Sequence, residues 1–253
     1  MEYNNSPYGQ PQQQPDAPRD LFPSLWGSQE DLDRATTSCL ARVFMRMFMG
    51  LLVTAAVSFG IQQTVGAEML LANPVLFFGV LIAQFVLVLI LGFRVMKMSP
   101  AISNIMFFTY AALMGVTLSF IFIQYTTGEI FYAFAISAMM FGAMAIYGTI
   151  TKRDLTRIGT FLRMALIGLI IASIVNIFFL NDTLMLIINY AGVLIFVGLT
   201  AYDTQRIKNM LAEANAADAD EAIKKISVMG ALILYLDFIN IFLKILAIMG
   251  RRR

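Results

Sequence analysis

Histidine is absent from this chain, cysteine occurs once, at Cys39, and tryptophan once, at Trp26. Without histidine, the side chain that normally changes charge between about pH 5 and pH 8 is missing, so any pH sensing falls to carboxylates. A single cysteine excludes an internal disulfide and a cysteine metal cluster. Charge is also scarce, at 13% of residues with a net +2, too little and too dispersed to point to nucleic acid. No Gly-X-X-X-X-Gly-Lys-Ser/Thr run supplies a phosphate-binding loop, so any transport is expected to be downhill or proton-coupled. There is no basic stretch followed by a short apolar one at the start, and no cleaved signal peptide is expected.

What is abundant is hydrocarbon. The 253 residues are 59% hydrophobic, with a mean hydropathy of +0.75. The apolar residues come in blocks of about 20, the length that crosses a hydrocarbon core of roughly 30 Å. Seven blocks are expected as helices, at residues 43–63, 74–96, 102–124, 129–150, 161–180, 183–203 and 226–249. Helices are the only reasonable spans, because lipid does not satisfy open backbone groups and the blocks lack the alternation of barrel strands. The fold class is thus all-α membrane protein with seven transmembrane helices. Residues 1–38, rich at the start in Gln, Asn and Pro, read as a disordered polar cytoplasmic tail, in which Leu21, Phe22, Leu25 and Trp26 are candidates for touching the membrane interface. Residues 39–253 form the seven-helix domain.

Lys and Arg set the orientation. Arg34, Arg42 and Arg46 flank the first span, Arg94 and Lys97 lie between the second and third, Lys152, Arg153, Arg157 and Arg163 around the fourth turn, and Arg206, Lys208, Lys224 and Lys225 around the sixth. The intervening turns at 64–73, 125–128 and 181–182 carry none, and carry or abut Glu68, Glu129 and Asp182. The positive-inside rule then places the amino terminus in the cytoplasm. Seven crossings put Arg251, Arg252 and Arg253 outside against that rule, yet the last block has no Gly or Pro at its middle where a return could break it, so a full span is expected. Small residues at helical spacing, Ala111, Gly115 and Ser119, then Ala138 and Gly142, predict close helix packing.

Two carboxylates lie inside apolar blocks: Asp203, in Gly-Leu-Thr-Ala-Tyr-Asp-Thr-Gln, and Asp237, in Tyr-Leu-Asp-Phe-Ile-Asn. An aspartate at mid-membrane costs about 2.5 to 3.5 kcal/mol, which makes it a candidate for function. At about 1.5 Å per residue, Asp237 lies roughly 18 Å beyond Lys225, while Asp203 is only about 5 to 8 Å from Arg206 and Lys208. They meet only if the sixth helix continues past Arg206 or if tilt brings them level. If they meet, they share one proton and titrate in two steps. The bland alternative is an interfacial pair of Asp203 with Arg206, one turn away, and Asp237 as a neutral packing residue.

Those two motifs, together with Phe-Gly-Ala-Met-Ala-Ile-Tyr-Gly-Thr-Ile-Thr-Lys-Arg-Asp-Leu (141–155) and Gly-Thr-Phe-Leu-Arg-Met-Ala-Leu-Ile-Gly-Leu-Ile-Ile-Ala-Ser-Ile-Val-Asn (159–176), closely resemble the bacterial branch of the Bax inhibitor-1, or transmembrane Bax inhibitor motif, family. The resemblance runs from about the first helix to the end and excludes residues 1–20. It implies six helices surrounding a central seventh, and a pH-sensitive calcium leak of the bacterial cytoplasmic (inner) membrane. It implies too that Asp203 and Asp237 are the paired aspartates and Arg94 the helix-two arginine that latches to them. Acid would then protonate the pair, weaken the Arg94–Asp203 tie and free the second helix. One departure is that the 206–225 connection, with Glu213, Asp218, Asp220 and Glu221, reads as longer than in typical members.

No cofactor is implied; calcium enters as the transported ion. Asp203, Asp237, Asn176, Asn189 and Asn240 fall short of the six to eight oxygens of a tight calcium site, so Asp203 and Asp237 are expected to form only a weak transit site, with Glu68, Glu129 and Asp182 as an external mouth or as ordinary loop charges. Three rivals remain. An intramembrane aspartyl protease would share a proton between two aspartates, but Leu234, Tyr235 and Leu236 stand where such enzymes carry Gly-X-Gly, and the chain is read as a non-enzyme. A retinal Schiff base on Lys244 would need an aromatic cage, and Trp26 lies outside the bundle; Lys244 is read as snorkelling or pairing. The third is a membrane-embedded regulator of a membrane-bound quality-control protease, a partnership some bacterial relatives show, with the tail and the 206–225 segment as docking surfaces.

Overall fold

The computed structural model describes residues 29–64, 73–217 and 219–250. Seven long helices account for nearly all of them: α1 Gln29–Gln62, α2 Pro74–Arg94, α3 Pro100–Leu118, α4 Thr127–Ile150, α5 Thr156–Phe179, α6 Asp182–Ala216 and α7 Asp220–Gly250. A 3-10 turn, Val95–Lys97, follows α2, and a one-turn helix, Ile121–Gln124, follows α3. All seven are long and apolar enough to cross a membrane, and no strand occurs among the described residues.

Local chemistry starts and stops these helices. Pro74 and Pro100 sit in the first turns of α2 and α3, where a missing N–H costs nothing. Asn73, Ser99, Thr126 and Asn181 cap the starts of α2, α3, α4 and α6 by accepting backbone N–H bonds. At α4 the cap is reciprocal: Glu129 Oε2 accepts from the Thr126 N–H and hydroxyl, both at 2.8 Å. Helix α5 ends at Leu180, whose φ of 47° lies in the left-handed region. There the Asn181 N–H bonds to Asn176 Oδ1 at 3.2 Å.

Three boundaries differ from expectation. Helix α1 begins at Gln29, so residues 29–38, assigned to the tail, are its first turns. Helix α6 runs to Ala216 rather than stopping near 203, and α7 begins at Asp220 rather than near 226. The expected long 206–225 connection is therefore two helix ends joined through residues 217–219. Hydropathy windows register lipid-facing hydrocarbon and miss these ends, which bury their apolar stripes against protein instead. Ile207, Leu211 and Ala214 are buried, and Asn215 Nδ2 donates to Thr36 Oγ1 on α1 at 3.3 Å. Residues 1–28, with Leu21, Phe22, Leu25 and Trp26, and Glu68, Asp218 and Arg251 to Arg253 lie outside the described residues.

Helices α6 and α7 share the most extensive interface and are the most enclosed spans, with 50% and 56% of their apolar windows buried. Helix α7 packs on α1, α3, α4 and α6. Helix α5 lies against α6, and α2 against α3. The small residues of α3 work as expected: a side chain at Gly115 would meet the Thr54 carbonyl of α1 at 2.6 Å. Those of α4 do not. Ala138 is exposed and Gly142 faces open space, whereas Gly148, one turn from the end, lies against the Ala201 carbonyl of α6.

Candidate functional site

The Tyr-Asp-Thr-Gln run of α6 is held by α4 and α5, one residue at a time. Tyr202 lays its ring on Gly159 of α5, where no side chain would fit. Arg163, one turn further along α5, stands over the same ring at 5.1 Å from its centroid, a cation–π contact. Gln205 clamps the α4–α5 turn with both ends of its amide: Nε2 donates to the Arg153 carbonyl at 2.8 Å, and Oε1 accepts from the Leu155 N–H at 3.0 Å. Lys208 Nζ donates to the Thr149 carbonyl at 2.9 Å, satisfying an end carbonyl of α4. Thr204 is fully buried, and its hydroxyl has no hydrogen-bond partner among the described residues.

Asp203 and Asp237 come together within this frame. Both are buried, with 9% and 5% of their surfaces exposed, and they lie within electrostatic reach of each other across the α6–α7 interface. Helix α6 does continue past Arg206, one of the two conditions under which the carboxylates are expected to meet. Asp237 Oδ2 is buried without a hydrogen-bond partner among the described residues. Its neighbour two residues back is Tyr235, fully buried between Phe107 and Tyr110 of α3 at ring separations of 5.8 and 6.0 Å. The Tyr235 hydroxyl lies 2.7 Å from Thr54 Oγ1. Thr54 has one proton, within reach of the Ala111 carbonyl at 2.8 Å and its own Gly50 carbonyl at 3.0 Å, so the tyrosine is the donor in that pair. Helix α7 is thereby pinned to α1 and α3 one half-turn from its carboxylate.

Arg94 is placed elsewhere. It ends α2, is exposed, and forms no ion pair among the described residues. The cations whose charge reaches Asp203 are Arg206, on its own helix, and Arg163 of α5. Neither closes a salt bridge to it among the described residues, where ion pairs join only Arg34 to Glu30 and Lys225 to Glu221. The sequence reads Arg163 only as an orienting charge and not as a neighbour of Asp203, although Gly159 and Arg163, four apart on one face of α5, are the available signal.

Oxygen ligands remain sparse. No group of three or more Asp, Glu, His or Cys able to hold a metal exists among the described residues. Glu129 is engaged in the α4 cap, and Asp182 lies in the first turn of α6. Asn176 bonds the backbone of Asn181, and Asn240 Nδ2 donates to the Leu236 carbonyl at 2.8 Å.

Seven spanning helices with two facing carboxylates buried between the last two define a polytopic α-helical membrane protein. The family described as inhibitor of apoptosis-promoting Bax1 matches residues 36–253. Inner membrane protein YbhL of Escherichia coli K12 is 46% identical over 215 residues, which is 85% of this chain and 92% of that protein. An uncharacterised protein of Borreliella burgdorferi is 42% identical over 216 residues, 85% of this chain and 92% of that one. Another, from Deinococcus radiodurans, is 39% identical over 224 residues, covering 88% and 94%. The chain belongs to the Bax inhibitor-1 family.

Proposed function

We propose that this protein is a passive, pH-sensitive leak for calcium or a similar cation in the bacterial inner membrane, gated by Asp203 and Asp237. The membrane assignment takes its support from the seven spans and from the relative named an inner membrane protein. The observation that carries the gate is the burial of two mutually interacting carboxylates, one with an orphaned oxygen, in the interface between the two most enclosed helices. Such a pair holds one proton readily and two charges only at high cost, so proton exchange changes how firmly α6 and α7 are held together. Fixed charge from Arg163 and Arg206 offsets ionised Asp203 on the α5 side. Arg94 would join this latch only in a second state that brings the end of α2 to α6. Calcium crosses as cargo on a weak transit site at the pair, with no resident metal.

The test is calcium entry into dye-loaded liposomes carrying the purified protein, titrated between about pH 5 and pH 8, where an ordinary exposed carboxylate is silent. Wild-type protein is expected to give a pH-dependent flux, and Asp203→Asn and Asp237→Asn a flat one. Liposomes no leakier than empty ones at every pH would end the leak reading.

A further inference from the structure

One charged side chain in the enclosed interface has no part in the gate described above. Lys244 lies seven residues, two helical turns, beyond Asp237 and therefore on the same face of α7. It is half-buried, and no ion pair engages it among the described residues. Its stem lies flat on Gly192 of α6: a side chain built at Gly192 would meet Lys244 Cε, Cδ and Cγ at 3.1, 3.2 and 3.2 Å. The glycine thus makes the groove that the lysine fills, and the stem runs into the α6–α7 interface rather than out to lipid. Gly192 is eleven residues before Asp203, three turns along the same face of α6. Buried Asp203 lies on this face of α6, and Asp237, Asn240 and Lys244 lie within one stripe of α7. This interface is a polar line through otherwise apolar helices. It leads from the carboxylate pair toward the end of the bundle holding Asn181 and Gly250, and it ends at a cation. No other carboxylate stands on α6 between Asp203 and Asp182, about 15 Å beyond Gly192, or on α7 after Asp237.

We propose that Lys244 is the specificity-determining charge of the outer half-path: an ammonium set in the α6–α7 interface that restricts the passage of cations, divalent ones most. The inference rests on the leak reading. A fixed charge opposes a passing ion in proportion to that ion's charge, and the effect is large where low dielectric surrounds it. Removing the charge therefore raises calcium flux more than potassium flux, and moving it to another cationic side chain does not.

The experiment compares wild type, Lys244→Met and Lys244→Arg in liposomes, with calcium and potassium flux read separately. Lys244→Met is expected to raise calcium flux about tenfold, a change of about 1.4 kcal/mol in barrier, with a smaller rise for potassium; Lys244→Arg is expected to match wild type. A second arm places the only thiol at this position, Lys244→Cys with Cys39→Ser, and treats intact liposomes with a membrane-impermeant thiol reagent. Labelling is expected, since the path admits water from the outer side. A wild-type flux that neither Lys244→Met alters nor Lys244→Cys labelling accompanies overturns the role of Lys244 and leaves the leak intact. Equal rises for both ions, or an equal rise in Lys244→Arg, reduce the effect to lost packing and also overturn it. Absence of flux from every variant overturns the leak, and this inference falls with it.

Discussion

Asp237 is expensive where it stands. A buried polar atom without a partner costs about 1 to 3 kcal/mol, and a carboxylate more, yet among the described residues Oδ2 is left in that state in a largely apolar helix. The proposed sharing of one proton with Asp203 would meet part of this cost, and the Tyr235–Thr54 hydrogen bond fixes the neighbouring turn of α7. A carboxylate among the Lys and Arg residues of the α4–α5 turn serves as the control. Asp154 is fully exposed in the α4–α5 turn, and hydrogen bonds from the Thr156 side chain and N–H, the latter at 2.9 Å, hold its carboxyl below the ordinary value. A carboxyl depressed in the folded state contributes stability above its unfolded pKa and loses it as pH falls through the folded one. That window lies below about pH 4, outside the range in which the leak is to be titrated. Asp154→Asn is accordingly expected to leave the flux profile between about pH 5 and pH 8 unchanged, while Asp237→Asn flattens it. A flattened profile in Asp154→Asn would move the sensor to the turn.

At the scale of elements, α6 is positioned by backbone contact as much as by side chains. Gly148 of α4 lies against the Ala201 carbonyl, so a side chain there meets backbone that has no rotamer to yield. Gly148→Val is expected to destabilise the detergent-solubilised protein by about 1 to 3 kcal/mol, read as a lowered Tm. Gly142→Ala, on the same helix with open space around it, is expected to be neutral or to stabilise by about 0.5 to 1 kcal/mol. Gln205→Ala breaks both bonds to the α4–α5 turn and strands the Leu155 N–H; a loss of about 1 to 3 kcal/mol in the same assay checks it. The sequence marked the small residues of α3 correctly and those of α4 on the wrong face. The reason is physical: in a bilayer the lipid side and the protein side of a helix are equally apolar, so composition does not tell which stripe of small residues meets a neighbour. The ends of α1 and α6 escaped notice for the complementary reason, since their polar residues bury apolar stripes against each other beyond the hydrocarbon.

At the scale of the whole molecule, the number of helices was legible because each apolar block is long enough to span, whereas the meeting of Asp203 with Asp237 was legible only as a condition, that α6 continue past Arg206 or that tilt bring the two level. The neighbours of Asp203 were not legible, since sequence separation does not tell which distant arginine packs near it, and only the packing of α5 on α6 brings Arg163 near. The same global geometry bears on the conflict over orientation raised by the charges after the last helix. Helix α7 runs unbroken for 31 residues, about 46 Å, enough to cross the bilayer without turning back. If all seven helices cross, the two ends of the domain lie on opposite sides. The turns before α2, α4 and α6 lack Lys and Arg, while Lys97, Lys152, Arg153, Arg157 and Lys208 gather at the other side, and charge near the early spans dominates insertion. A C-terminal alkaline phosphatase fusion to the full chain is therefore expected to be active and a C-terminal green fluorescent protein fusion dark, with an N-terminal fluorescent fusion bright. A bright C-terminal fusion would mean that Arg251 to Arg253 win over the helix, that α7 does not cross, and that Asp237 reaches the pair from a re-entrant segment.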